Sequence, residues 1–135
     1  KRCDELLKLV GLEDVKKKKM KKFSGGMIQR VGIANALMND PQIIIFDEPT
    51  AGLDPMERVR FRNIIAGLGK EKTVILSTHI VSDIESIADE IILIKDKHVL
   101  CCDTLENVCS LNTTKENSNL EDAFMFIYGG AGNDL

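Results

Sequence analysis

The run Ile43–Phe46, four apolar residues cut off at once by Asp47-Glu48-Pro49, constrains the fold more than any other stretch of this chain. Continuous β-branched and aromatic residues between polar boundaries predict a strand buried on both faces of a parallel sheet. Helical patterns flank it. Upstream, Met27, Ile28, Val31, Ala34, Leu37 and Met38 recur at three- and four-residue spacing, with Ser24 placed as N-cap and Asn39-Asp40-Pro41 as the stop. Downstream, Asp54, Pro55 and Glu57 predict a capping box with proline at the first helical position. A buried stripe of Phe61, Ile64, Ile65 and Leu68 follows, closed by Gly67 and Gly69.

The same pattern repeats further along. Thr73–Thr78 reads as a second buried strand, Ile80, Ile84, Ile87 and Ala88 as one face of a helix, and Glu90–Ile94 as a third strand. Asp96-Lys97 is a tight connection to His98–Cys102, which predicts an antiparallel hairpin. Before all this, residues 2–15 read as helix; after it come a polar stretch at 112–119, an apolar helix at 120–128 and a glycine-rich end. Strands alternating with helices at this spacing define an α/β layered domain with right-handed crossovers.

Composition sets the outer bounds. With 135 residues, 44% of them hydrophobic and 29% charged, the chain has the size and balance of one globular domain. Its net charge of −3 argues against nucleic acid as a partner. The apolar runs fall far short of the roughly 20 residues of a membrane helix. Charge is nevertheless uneven: residues 1–22 carry nine basic and four acidic side chains, mostly through Lys16–Lys22. That run reads as a solvated turn, or alternatively as a contact for anionic lipid headgroups or an acidic partner loop. Cys3, Cys101, Cys102 and Cys109 form no C-x-x-C pair, which fits a reduced cytosolic protein with incidental cysteines and no zinc site. The chain begins at Lys1, inside a helical pattern, so residues upstream are expected.

Three short segments carry candidate chemistry. Asp47 and Glu48 end a buried strand, where ligands of open α/β sheets bind. Burying two carboxylates is costly unless a cation is near, so they read either as a magnesium–phosphate site or as a helix N-cap pair. Ser24, Gly25 and Gly26 place a hydroxyl and bare amides at a helix N-terminus, which serves as an anion site or as a simple cap and turn. His79 directly follows the second strand, level with Asp47 and Glu48 if the two strands are neighbours, whereas His98 in the hairpin reads as structural.

Taken jointly, "FSGGMIQR", "IIIFDEPTAGLDP" and "STH", in that order, resemble the nucleotide-binding domain of ATP-binding-cassette (ABC) ATPases over about residues 3–103. The resemblance implies a P-loop NTPase-type layered domain with a partial parallel sheet, flanking helices and a carboxyl-terminal antiparallel hairpin. Residues 1–40 would be the end of the helical subdomain and the signature helix, 41–103 the core from Walker B to the switch histidine, and 104–135 a helical tail. "FSGGM" corresponds to the signature motif usually written LSGGQ, with Phe23 and Met27 in place of Leu and Gln, and Asn35 where a second arginine is common. Gln29 and Arg30 keep the usual "QR".

By that resemblance Ser24 and Gly26 would bind the γ-phosphate of ATP held by an opposite subunit, and the Gly25 amide could add to the pocket. Asp47 would bind Mg²⁺, Glu48 would be the general base, and His79 would contact the γ-phosphate. Asp54, in the D-loop "AGLD", would cross a dimer interface. The implied cofactors are ATP and Mg²⁺. The implied partners are a second nucleotide-binding domain and a transmembrane transporter subunit at the inner face of the membrane.

The P-loop G-x-x-x-x-G-K-[ST] has no counterpart here. At the lone Gly69-Lys70, Ile64 stands in place of the first glycine and Glu71 in place of Ser/Thr. The chain therefore resembles the carboxyl half of a cassette, and alone it is expected to be marginally stable and to bind Mg-ATP poorly. Three functions are compatible with this. The first is the ATPase subunit of an ABC transporter, with a tail similar to those of bacterial export cassettes. The others are a soluble ABC ATPase of the translation or DNA-repair kind, and an inactive fragment.

Overall fold

A computed structural model describes residues 1–112 and 118–129 of the chain. They form two compact units, Lys1–His79 and Ile80 onward. The polar stretch expected at 112–119 lies largely outside the described residues, and so does the glycine-rich end beyond 129.

In the first unit, helix α1 (Arg2–Leu9) is shorter than the pattern predicts. Gly11 takes φ 64°, a conformation that suits glycine and turns the chain out of the helix. Glu13–Val15 and Met20–Lys22 then form isolated 3₁₀ turns, the second within the lysine run. Helix α2 (Gly25–Ala36) starts where Ser24 predicts, with the Met27 amide donating to the Ser24 hydroxyl at 3.2 Å. Its buried face differs from the expected stripe. Gly26, Arg30, Ile33, Ala34 and Leu37 are buried, while Ile28 and Met38 are exposed. Arg30 shifts the face because its guanidinium finds acceptors beneath the helix, which lets a charged residue take an interior position.

Strands β1 (Ile43–Asp47) and β2 (Thr73–Ser77) are parallel neighbours, in register from Ile43 opposite Thr73 to Asp47 opposite Ser77. They are joined through helix α3 (Pro55–Gly69). This is the expected strand–helix–strand unit. Among the described residues of this chain, one face of the two strands stays uncovered. Ile44 is 3% exposed, whereas Ile43 and Ile45 are 59% and 69% exposed and Ile75 is 49% exposed. Side chains alternate across a strand, and α3 covers only the face that carries Phe46, whose ring meets Phe61 edge-on at 5.7 Å.

Asp54 caps α3 by accepting from the Glu57 amide at 3.0 Å, with Pro55 at the first helical position. The reciprocal arm of the expected capping box does not form, because the Glu57 carboxylate is engaged by Arg30 and Arg60. Phe61, Ile65 and Leu68 make the buried stripe with Ile64 half-buried, and the helix runs through Gly67 to Gly69. Gly69-Lys70 is thus a helix end, in keeping with its rejection as a phosphate loop.

The second unit departs further from the pattern. The helix expected over Ile80–Ala88 is a 3₁₀ turn at Val81–Asp83 followed by further hydrogen-bonded turns. Isoleucine, valine, serine and aspartate dominate this stretch, and each loses side-chain freedom in a helix or competes for backbone bonds. Val81, Ile84 and Ala88 still pack on the core, so the apolar spacing served burial without a continuous helix.

Strands β3 (Glu90–Lys95) and β4 (His98–Thr104) form the predicted antiparallel hairpin, with Asp96 and Lys97 both at positive φ in the connecting turn. β3 pairs with β4 and does not extend the parallel sheet among the described residues. A short helix α4 (Leu105–Cys109), which the pattern did not reveal, is capped by Thr104. Helix α5 (Leu120–Tyr128) holds where expected and opens with a capping box between Asn119 and Asp122. Ile91, Leu93, Val108, Leu120 and Ile127 form the core of this unit.

Candidate nucleotide site

The in-register pairing of β1 with β2 brings three of the candidate residues together at the carboxyl ends of the two strands. The Ser77 hydroxyl donates to Asp47 Oδ1. One residue further, the Glu48 amide donates to the Ser77 carbonyl at 2.9 Å, continuing the ladder past the end of β1. The chain then turns sharply. Glu48 sits at φ 45°, in the left-handed region that costs a side chain energy, and directly precedes Pro49. The turn is held by the Ala51 amide, which donates to the Glu48 carbonyl at 3.2 Å, and it aims the Glu48 side chain toward β2.

There Glu48 Oε1 lies 2.9 Å from His79 Nδ1. A carboxylate can only accept, so in this contact His79 Nδ1 is the donor. The other oxygen, Glu48 Oε2, is buried and has no hydrogen-bond partner. Thr50, 1% exposed, carries a second such atom in its hydroxyl oxygen. Two unpartnered oxygens two residues apart at the mouth of a parallel sheet are costly unless a donor or cation reaches them.

The expected burial of the carboxylate pair is corrected in one respect. Asp47 is exposed, and only Glu48 is partly enclosed, its side chain 39% exposed. The cost of burying two charges therefore does not govern this corner, and the orphaned Glu48 oxygen takes its place as the observation that points to a ligand.

Ser24, Gly25, Gly26 and Asp54 form a second group. The Ser24 hydroxyl is engaged as the cap of α2, Gly25 faces open space, and Gly26 lies against Glu57 in the first turn of α3, the helix that Asp54 caps. Among the described residues no hydrogen bond or ion pair links this group to Asp47, Glu48 and His79. Sequence reasoning missed Ser77, Arg30 and Glu57. Ser77 was legible only through strand register, and an arginine one turn from a glycine inside an apolar stripe was the signal for Arg30.

An oxygen-only set of carboxylate and hydroxyl suits a hard cation such as Mg²⁺. Among the described residues no group of three or more His, Cys, Asp or Glu side chains could hold a metal alone. A magnesium ion here would take one carboxylate from the chain and would need phosphate and water to complete its shell.

The family described as ABC transporter matches residues 1–51. An uncharacterized ABC transporter ATP-binding protein of Nostoc sp. is 44% identical over 116 residues, covering 84% of this chain and 35% of that protein. The bacitracin transport ATP-binding protein BcrA of Bacillus licheniformis is 46% identical over 99 residues, 72% of this chain and 32% of its own length. The lantibiotic transport ATP-binding protein SrtF of Streptococcus pyogenes is 47% identical over 85 residues, 62% and 37% respectively. The chain belongs to the ABC transporter family. It spans about a third of the length of these relatives.

Proposed function

We propose that these residues are part of the ATP-binding and ATP-hydrolysing subunit of an ABC transporter, in which nucleotide-driven pairing of two such subunits moves substrate across a membrane. Two relatives are named for bacitracin and lantibiotic transport, and export is the direction proposed for this subunit. The observation that carries the reading is the Asp47–Ser77 and Glu48–His79 pairing across the ends of two parallel strands, with one Glu48 oxygen left free.

Bound Mg-ATP would supply the phosphoanhydride bond and the metal charge. Asp47 would hold the Mg²⁺, with Ser77 fixing its carboxylate. Glu48 would orient water and take its proton, a role that needs an unpaired carboxylate oxygen held still. His79 would keep Glu48 in place through Nδ1, and its other nitrogen would have to carry a proton to donate to a terminal phosphate. Ser24, Gly25 and Gly26 would offer the N-terminus of α2 to the phosphate of ATP on an opposing subunit. Asp54 would lie at that interface.

On this reading 1–40 and 41–103 are the end of the helical subdomain and the catalytic core, and 104–135 is a closing tail. No helix among the described residues is long and apolar enough to cross a membrane. The subunit would sit at the cytoplasmic face, bound to a transmembrane partner. The test is Glu48→Gln in the intact protein, reading nucleotide binding and turnover separately. Retained binding with turnover abolished is expected, and unchanged turnover overturns the assignment.

A further inference from the structure

Gly25 and Gly26 are equivalent in sequence and different in surroundings. A Cβ on Gly25 would meet nothing within 4 Å, whereas one on Gly26 would come within 2.6 Å of Glu57 Cγ and 2.7 Å of Cδ. Real Cβ atoms essentially never approach that closely. Glu57 therefore lies across Gly26, and its carboxylate continues to Arg30, one turn further along α2. Arg30 Nε is 3.2 Å from Glu57 Oε2 and its second terminal nitrogen donates to Oε1 at 3.5 Å. The pair is enclosed, with side-chain exposures of 9% and 14%.

The guanidinium also binds three carbonyls. Its remaining terminal nitrogen donates to Val10 O at 3.1 Å and Gly11 O at 3.2 Å, and Nε donates to Gly26 O at 3.4 Å. Arg60 closes the far side of the Glu57 carboxylate at 2.9 Å. One buried cation thus ties the turn after α1, the first turn of α2 and the first turn of α3. Its planar, multi-donor shape is what makes three simultaneous attachments geometrically possible.

From this we infer that Glu57 and Arg30 are positioning residues for the start of α2, and that Gly26 is a glycine so that Glu57 can cross it to reach Arg30. The clamp sets where the Ser24–Gly26 amides stand relative to Asp54, the cap of the helix that carries Glu57. Its effect on turnover rests on the proposed function, but the coupling between Gly26 and Glu57 does not.

A double-mutant cycle in the intact protein tests it. Gly26→Ala should lower the melting temperature by about 5 °C or more. Gly25→Ala, with open space around it, should leave melting unchanged. In a Glu57→Ala background the added Gly26→Ala should shift melting by less than about 1 °C, because the obstructing side chain is gone. Additive shifts would overturn the inference.

If Glu57→Ala fails to fold because Arg30 is left unpaired, the cycle is repeated on Arg30→Met/Glu57→Ala, which buries no lone charge. For turnover, Glu57→Ala should lower kcat roughly tenfold with the KM for Mg-ATP within about threefold, and Glu57→Gln, which keeps the shape and one acceptor, should restore most of the loss. A loss carried by KM alone, or no rescue by glutamine, removes the positioning role. Absence of ATP hydrolysis in the unmodified protein would defeat the proposed function while leaving the melting cycle to decide the clamp.

Discussion

His79 Nδ1 stands 2.9 Å from Glu48 Oε1, joining the ends of two parallel strands that lie side by side in register. The contact leaves an imidazole nitrogen and a buried carboxylate oxygen outside the pair, and those are the atoms the proposed hydrolysis would use.

Removing the Glu48 charge while keeping its shape is therefore the sharpest change available. Glu48→Gln should lower turnover by roughly 10²- to 10⁴-fold, the usual contribution of a general base. ATP affinity should stay within a few fold. Steady-state hydrolysis and equilibrium nucleotide binding, measured on the same preparation, check both halves.

Ser24 has two separable roles. Its hydroxyl caps α2, so Ser24→Ala should cost about 1 kcal/mol in chemical denaturation. Ser24→Arg sets bulk and charge where an opposing subunit's nucleotide would lie on the proposed function, so size-exclusion chromatography of this variant with ATP should show no dimer where the unmodified intact protein forms one. A dimer that persists with arginine at this position would remove the signature segment from the interface.

Tyr128 gives the second unit an alkaline signature. Its hydroxyl donates to the Ile94 carbonyl at 2.6 Å, and burial holds the phenol above its ordinary value. A raised folded value stabilises the unit below the unfolded pKa of about 10, and this contribution is lost as pH climbs through the folded value. As the chain has one tyrosine and no tryptophan, tyrosinate absorbance follows this residue alone. Its midpoint should lie above that of the urea-unfolded chain, and Tyr128→Phe should lack the corresponding alkaline fall in stability.

The four free cysteines should label in order of exposure. Cys3 and Cys102 are exposed, whereas burial, reinforced by the nearby Glu85 and Asp122 charges, pushes the Cys109 thiol up. Less thiolate and less access both slow alkylation. Mass spectrometry after brief iodoacetamide treatment near pH 8 should find Cys3 and Cys102 modified before Cys109.

The two faces of β1 should respond oppositely to mutation. Ile44→Ala removes a buried side chain and should cost about 2–5 kcal/mol. Ile45→Thr on the exposed face should change the stability of the 135-residue chain by no more than about 0.5 kcal/mol. Chemical denaturation of the two variants side by side decides this.

Local chemistry alone determined a good part of this protein. Ser24 and Asp54-Pro55 announce helix starts, and the helices begin there. Asp96-Lys97 announces a two-residue turn, and the hairpin forms on it. These signals act within a few residues, so composition and spacing carry them. The motif order around Ser24, Asp47 and His79 likewise named the family that comparison bears out.

What tertiary structure decided depends on residues distant in the chain. Ile43 and Ile45 read as buried because a run of isoleucines cannot say how many layers will cover it; α3 covers one face. Arg30 reads only as the second letter of a motif dipeptide until Val10, Gly11 and Glu57 fold around it. The turns at 80–88 pack their apolar residues without becoming a helix, since the core of β3, α4 and α5 needs the side chains and not the backbone repeat. The pairing of Glu48 with His79 arises the same way: 31 residues apart in sequence, they meet because β1 and β2 align in register, a property of the sheet that no local pattern contains.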